Sequence, residues 1–179
     1  MTQVPTTLSA IVITRNEAHN LNDCLASLRT LVDEIIVVDS QSTDSTVVIA
    51  HQHGAKVAQP SDWPGFGPQK NRALDLASCD WVLSIDADER VTPALAAEIR
   101  QVLLSPDANV AYQVPRLSWY CGRFIRHAGW QPDHVLRLFK RGTAKFSDDL
   151  VHERVVTERR VVSLHNHLLH YSYLNFSQV

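Results

Sequence analysis

The sequence predicts an α/β fold: a mostly parallel sheet with helices on both faces, followed by a mixed, strand-rich extension. Three observations carry that expectation. Strand-like and helix-like apolar periods alternate through residues 1–105, the pattern of a parallel sheet covered on both faces. A chain of 179 residues with 45% hydrophobic content supplies one sizeable core and not two, so residues 1–179 are expected to form a single domain. The apolar run Trp81–Ile85 stops at Asp86-Ala87-Asp88. A buried strand with this ending delivers two carboxylates to the carboxyl edge of the sheet, where open α/β proteins bind ligands.

Leu8–Thr14 is a β-rich apolar run followed by the polar turn Arg15-Asn16-Glu17. Leu21, Cys24, Leu25 and Leu28 then recur at helical spacing. Glu34–Asp39 reads as a second buried strand, and Ser42-Thr43-Asp44 as a cap for the helix through Val47, Val48 and His51. Lys56-Val57-Ala58 is a short third strand. Gln59–Pro68, rich in proline and glycine, reads as a loop, and Gln69–Ala77 as a helix. After the Trp81–Asp86 strand, Thr92 and Pro93 supply an N-cap and a first-turn proline for a helix to Leu104. Beyond Pro106 the helical rhythm is lost. Val110–Pro115 and Val135–Lys140 read as strands around the aromatic stretch Trp119-Tyr120, so a mixed or antiparallel extension over 106–179 is expected.

Charge is balanced overall, 17 basic against 19 acidic side chains, which points away from nucleic acid as a partner. It is not evenly spread. Residues 1–110 hold 7 basic and 14 acidic side chains, and residues 111–179 hold 10 and 5. An acidic half suited to a metal thus precedes a basic half suited to phosphate or an anionic acceptor. Cys24, Cys79 and Cys121 are odd in number and widely spaced, which argues against a disulfide framework or a structural zinc site and for a reducing, cytoplasmic setting. No run of about 18 apolar residues marks a membrane span, so any membrane contact is expected to be peripheral. The chain stops at Val179 without an end signal, as a piece of a longer protein would.

Three strand ends bring polar groups to one sheet edge: Thr14 with Asn16 and Glu17, then Asp39, then Asp86 and Asp88. A carboxylate pair of this kind suits a hard divalent cation that also holds phosphate oxygens. Taken alone, Asp86–Glu89 reads equally well as an acidic turn, and Asp44 as a helix cap. Asp39 is placed to accept hydrogen bonds from a nucleobase or ribose. Lys70 and Arg72 follow a Gly-Pro-rich loop at the expected start of a helix, where they can steady a diphosphate. At spacing i, i+2 only one of them faces it, with a slight preference for Arg72. His165, His167 and His170 lack a carboxylate or cysteine close in sequence, so they are not expected to form a metal site.

Together these stretches resemble the GT-A nucleotide-sugar-dependent glycosyltransferases, in particular glycosyltransferase family 2. The likeness runs through Ser9–Glu17, Ile36–Ser40 with Ser42–Asp44, Lys70-Asn71-Arg72 and Ile85–Glu89. Gly129–Asp133, Arg137-Leu138-Phe139 and Val151-His152-Glu153 are similar to the branch containing bacterial lipopolysaccharide core β-1,4-glucosyltransferases. The resemblance implies a Rossmann-like GT-A domain with a nucleotide-sugar-binding half, 1–105, and an acceptor-side half, 106–179. It implies a metal-dependent inverting transfer of a hexose from UDP-glucose to a glycan or glycolipid acceptor, with Mg²⁺ or Mn²⁺ as cofactor. Asp88 would be the direct metal ligand. Asp86 would meet the ribose or a metal-bound water, and His152 would add a metal or diphosphate contact. Glu153 would be the base that takes the acceptor proton, with Asp149 as runner-up and Asp148 nearby. Trp130 offers a face to a sugar ring, and Arg137 a phosphate contact. Two rivals stand beside this reading: a non-catalytic nucleotide-sugar-binding module, and a phosphohydrolase whose strand also ends in Asp-x-Asp.

Overall fold

The computed structural model describes residues 5–127, 132–149 and 153–173. The first half alternates as expected: β1 (Leu8–Thr14), α1 (Ala18–Leu28), β2 (Glu34–Asp39), α2 (Thr46–Gln52), β3 (Lys56–Ala58), α3 (Phe66–Leu76), β4 (Trp81–Ser84), β5 (Glu89–Val91) and α4 (Pro93–Leu104). The second half is β6 (Val110–Tyr120), β7 (Arg123–Phe124), β8 (His134–Lys140), β9 (Ala144–Phe146), β10 (Val155–Thr157), β11 (Arg160–Ser163) and β12 (Leu168–Tyr173). The main sheet runs β3-β2-β1-β4-β8-β6-β12-β5. The strands β3, β2, β1 and β4 are mutually parallel. β8 enters antiparallel to both β4 and β6, which makes the sheet mixed beyond that point. Strand β12 lies parallel to β6 and antiparallel to β5.

Alternation along each central strand explains why the sheet is covered on both faces. Leu8, Ala10 and Val12 of β1, Val37 of β2 and Trp81 and Leu83 of β4 pack with Leu21, Leu25 and Leu28 of α1 and Leu95 and Ile99 of α4. Ile11, Ile36, Val38 and Val82 point the other way, onto Ala73 and Leu74 of α3 and onto Phe139 and Phe146. A period of two with both sets apolar is what a buried parallel strand requires. Among the described residues no helix is long and apolar enough to cross a membrane.

Strand β4 ends at Ser84 rather than Asp86, β5 was not expected, and two boundaries differ by more. Helix α3 begins at Phe66 rather than Gln69, so Pro68 sits in its first turn, where a missing N–H costs no helical hydrogen bond. Strand β6 continues through Pro115 to Tyr120. Its partner β8 ends its register at Pro115, and β12 takes over from Arg116, so the proline falls at the handover between ladders. The Thr92 cap is as expected: its side chain accepts the Leu95 N–H at 3.1 Å, with Pro93 following.

At the amino edge of the sheet, Glu34 accepts from the Ser9 hydroxyl at 2.5 Å, from the Ser78 N–H and hydroxyl at 2.9 Å each, and from Lys56. Burial alone would raise its carboxyl, but the Lys56, Ser9 and Ser78 donors outweigh it and bring the pKa from 4.5 to about 2. A depressed folded-state value stabilises the fold above the unfolded value. That contribution is complete above pH 4.5 and is lost as pH falls towards 2. Glu34→Gln should therefore flatten the stability slope in that window, as read by urea unfolding at stepped pH.

Candidate active site

The carboxyl ends of β1 and β4 open onto a cleft of about 950 Å³ lined by Thr14, Arg15, Glu17, Trp63, Phe66, Lys70, Asp86, Asp88, Glu153 and His170, among others. The turn after β4 is fixed by its own backbone and by two neighbours. Asp86 N–H donates to the Glu89 carboxylate at 2.9 Å, and the Asp86 carbonyl accepts the Glu89 N–H at 2.9 Å. Arg90 donates to the Ala87 carbonyl at 3.1 Å, and Tyr171 N–H of β12 to the Asp88 carbonyl at 2.9 Å. This last bond continues the β5–β12 pairing by one residue and sets Asp88 beside β12.

The two aspartates have different surroundings. Asp86 accepts from Lys70 Nζ at 2.8 Å and is also bound by Arg137. Burial would raise its carboxyl, but Arg137 and then Lys70 overcome this and hold it well below the usual carboxylate range. Asp88 keeps 27% of its side chain exposed in the cleft, and its Oδ2 lies 3.2 Å from His170 Nε2. His170 Nδ1 is 3.1 Å from the Ser118 hydroxyl, which fixes the ring. Glu17 stands close by. Burial raises its carboxyl, the Asn20 side-chain hydrogen bond lowers it, and repulsion from Asp88 adds to the upward shift.

Beneath the turn lies a buried charge network. Glu89 is fully buried, accepts from Arg137 at 2.6 Å, and has Arg116 at 3.7 Å. Burial pushes its carboxyl up despite Arg137. Arg137 reaches both acids, and their charges, opposing its burial, hold its guanidinium firmly protonated. Its Nε is buried without a partner among the described residues. Lys70 extends the network to Glu153, at 2.7 Å. Although burial works against its charge, Asp86 and Glu153 raise the Lys70 pKa.

At the other end of the site Asp39 is fully buried. It accepts from Thr14 Oγ1 at 2.9 Å, from Ser42 N–H at 2.9 Å and hydroxyl at 2.5 Å, and from Gln59 at 3.3 Å. Asn16 adopts φ 56° and bridges to the same loop, its side chain accepting the Thr43 N–H at 2.8 Å. Asp44 accepts N–H bonds from Ala18 of α1 at 3.1 Å and Thr46 of α2 at 3.0 Å, so it ties two helix starts together.

The structure therefore brings Thr14, Glu17, Lys70, Asp86, Asp88 and Glu153 to one cleft. Asn16 and Asp39 brace the loops that follow β1 and β2. Arg72, favoured over Lys70 from the sequence, turns away: its guanidinium binds Asp62 at 2.6 Å and Gln69 at 3.0 Å. Lys70 is the one directed inward. Asp149, like Asp148, is exposed, and it accepts the Ser147 hydroxyl at 2.8 Å in a surface turn. His152 and Trp130 lie outside the described residues. Arg137, read as a phosphate contact, is instead enclosed by Asp86 and Glu89.

Four participants escaped the sequence. Glu89 read as part of an acidic turn, although a carboxylate three residues after Asp86 is placed to cap that turn's N–H. His170 lacked an acid close in sequence, yet Asp88 is its neighbour in space. Strand pairing supplied an acid that lay far off in sequence. Trp63 and Phe66 were passed over as loop residues. Among the described residues no three His, Cys, Asp or Glu side chains gather as a metal-holding cluster; Asp88 and His170 form a pair.

Comparison with known proteins identifies the family. The family described as Glycosyl transferase family 2 matches residues 9–159. An uncharacterized glycosyltransferase of Rickettsia felis is 35% identical over 96% of this chain, and the lipopolysaccharide core biosynthesis glycosyltransferase LpsC of Rhizobium meliloti is 34% identical over 86%. The chain spans 64% and 58% of those two relatives. S. aureus TarS 1-349 superposes with a TM-score of 0.68 over 93% of this chain and 61% of its own, at 18% identity, a likeness of fold. Glucosyl-3-phosphoglycerate synthase of Mycobacterium tuberculosis, crystallised with Mn²⁺, UDP and glucosyl-3-phosphoglycerate, gives 0.52 over 64% of this chain and 44% of its own, at 28% identity. The fold is the GT-A fold, and the chain belongs to glycosyl transferase family 2.

Proposed function

We propose that this chain carries the active site of a metal-dependent, inverting glycosyltransferase that moves a hexose from a nucleotide diphosphate sugar, UDP-glucose, to an envelope glycan such as a lipopolysaccharide core. The observation that carries the reading is the gathering of Asp88, His170, Lys70 and Glu153 around one cleft. LpsC, named for lipopolysaccharide core biosynthesis, supports the acceptor class, and the synthase crystallised with UDP and Mn²⁺ supports the donor and cofactor. The three free cysteines suit a reducing, cytoplasmic location, with peripheral contact at the inner face of the plasma membrane where such an acceptor is presented.

Asp88 and His170 fit a divalent cation. Their facing Oδ2 and Nε2 atoms would supply two donors to a cation that also binds the diphosphate. The imidazole favours Mn²⁺ over Mg²⁺, which prefers oxygen throughout. A cation held there supplies Lewis-acid neutralisation of the charge developing on the departing diphosphate. Lys70 meets that diphosphate from the cleft floor. Asp86 keeps Lys70 charged and in place. Thr14, Asn16 and Asp39 shape the nucleoside end, with Glu17 along the wall. Glu153 removes the acceptor hydroxyl proton from the face opposite the leaving diphosphate.

Glu153→Gln separates binding from chemistry. A thermal-shift screen of nucleotide sugars with Mn²⁺ should give the same stabilisation for this variant as for the unaltered chain, about 2.7 kcal/mol at a hundredfold excess over Kd. Transfer should fall by about 10²–10⁴-fold. Unchanged transfer would move the base elsewhere. Binding by the unaltered chain without any transfer to envelope glycan extracts would leave a nucleotide-sugar-binding module.

A further inference from the structure

Trp63 and Phe66 stand half-exposed on the rim of the same cleft, each 43% accessible, with ring centroids 5.0 Å apart and planes at 89°. Two large rings left open at a polar cleft are poorly explained by folding, because each would gain by burial. The segment that carries them is held firmly. Arg72 staples it: the guanidinium binds the Asp62 carboxylate at 2.6 Å and the Asp62 carbonyl at 3.4 Å, while also reaching Gln69 of α3 at 3.0 Å. Pro60 and Pro64 limit its backbone.

The placement of the pair along the cleft identifies what it faces. The segment starts at Gln59, whose amide reaches Asp39 at the nucleoside end. It ends at Phe66, which lies one turn before Lys70 on the same face of α3, and Lys70 binds Glu153. Next to Phe66, Gly67 meets Ser147, just after β9, and Glu153, just before β10, so closely that an added Cβ would stand 1.8 Å from the Ser147 carbonyl oxygen and 3.5 Å from Glu153 Cβ. The aromatic lip is therefore built onto the proton-accepting end of the site. A ring that must offer a hydroxyl to Glu153 passes across these two side chains. The C–H face of a pyranose matches an exposed aromatic face, and its hydroxyl edges match the polar cleft.

We propose that Trp63 and Phe66 form the stacking platform for the acceptor's pyranose ring, holding the reacting hydroxyl towards Glu153. This rests on the reading of the cleft as a sugar-transfer site. The test uses the full chain, ¹⁵N-labelled and loaded with UDP and Mg²⁺. It is titrated with methyl β-D-glucopyranoside, methyl β-D-galactopyranoside and methyl α-D-mannopyranoside. At least one should shift the Trp63 indole N–H resonance and receive saturation transfer at its ring C–H protons. Trp63→Ala should weaken that binding by about tenfold, Trp63→Phe should recover part of it, and neither should change UDP affinity. A Trp63 resonance silent to all three glycosides overturns the platform, as does a loss of UDP affinity in Trp63→Ala, which would make the pair a nucleobase shelf. Failure of the unaltered chain to bind UDP at all overturns the transferase reading beneath it.

Discussion

Asp88→Ala is expected to lower sugar transfer by at least about 10²–10³-fold and to remove the metal dependence of UDP binding, while the fold stays intact. The side chain is partly open to the cleft, and its polar partner among the described residues is His170. The position itself is fixed through the backbone, by the Tyr171 N–H bond to the Asp88 carbonyl, which alanine retains. Nothing buried is left unpaired, so stability should change by no more than about 0.5 kcal/mol. UDP release assays beside melting curves check both halves. Unaltered turnover would remove Asp88 from the chemistry, and a collapsed melting curve would make its role structural.

Glu89→Ala should do the opposite, acting on the fold first. Glu89 is fully buried and compensates Arg137, with Arg116 close by. Arg137 has almost no access to water, and its Nε already lacks a partner among the described residues. Removing one member of such a network leaves a buried charge under-compensated and costs about 3–5 kcal/mol, a fall in Tm on the order of 10 °C for a domain of this size. Glu89→Gln keeps an acceptor for the Asp86 N–H and should lose less. The double change Glu89→Leu with Arg137→Met removes both charges. It should recover only part of the lost stability: apolar replacement of a buried pair is frequently neutral, but Asp86 is left with Lys70 as its cation. Urea unfolding measures all three. A loss below about 1 kcal/mol for Glu89→Ala would place the network among ordinary surface pairs.

Legibility in the sequence followed the range of the interactions. The parallel half was readable because each strand is a continuous apolar run and each helix carries its own period or cap, as at Thr92. The start of α3 was not, since Phe66-Gly67-Pro68 has loop composition and becomes helical through packing of Gly67 onto Ser147. The extent of β6 was hidden by Pro115, tolerated only because the ladder changes partner there. Within the site, Asp86, Asp88 and Asp39 announced themselves as strand ends. Spacing could say that only one of Lys70 and Arg72 faces the cleft, but the choice depends on Asp62 and Glu153, partners from separate segments. The Asp88–His170 pair was invisible for the same reason: it exists because β12 runs alongside β5.

The decisive measurement is calorimetric titration of UDP into the unaltered chain with Mn²⁺ and again with EDTA. A metal–diphosphate anchor at Asp88 and His170 predicts UDP binding with Mn²⁺ and its loss in EDTA. Equal UDP affinity in both would contradict it.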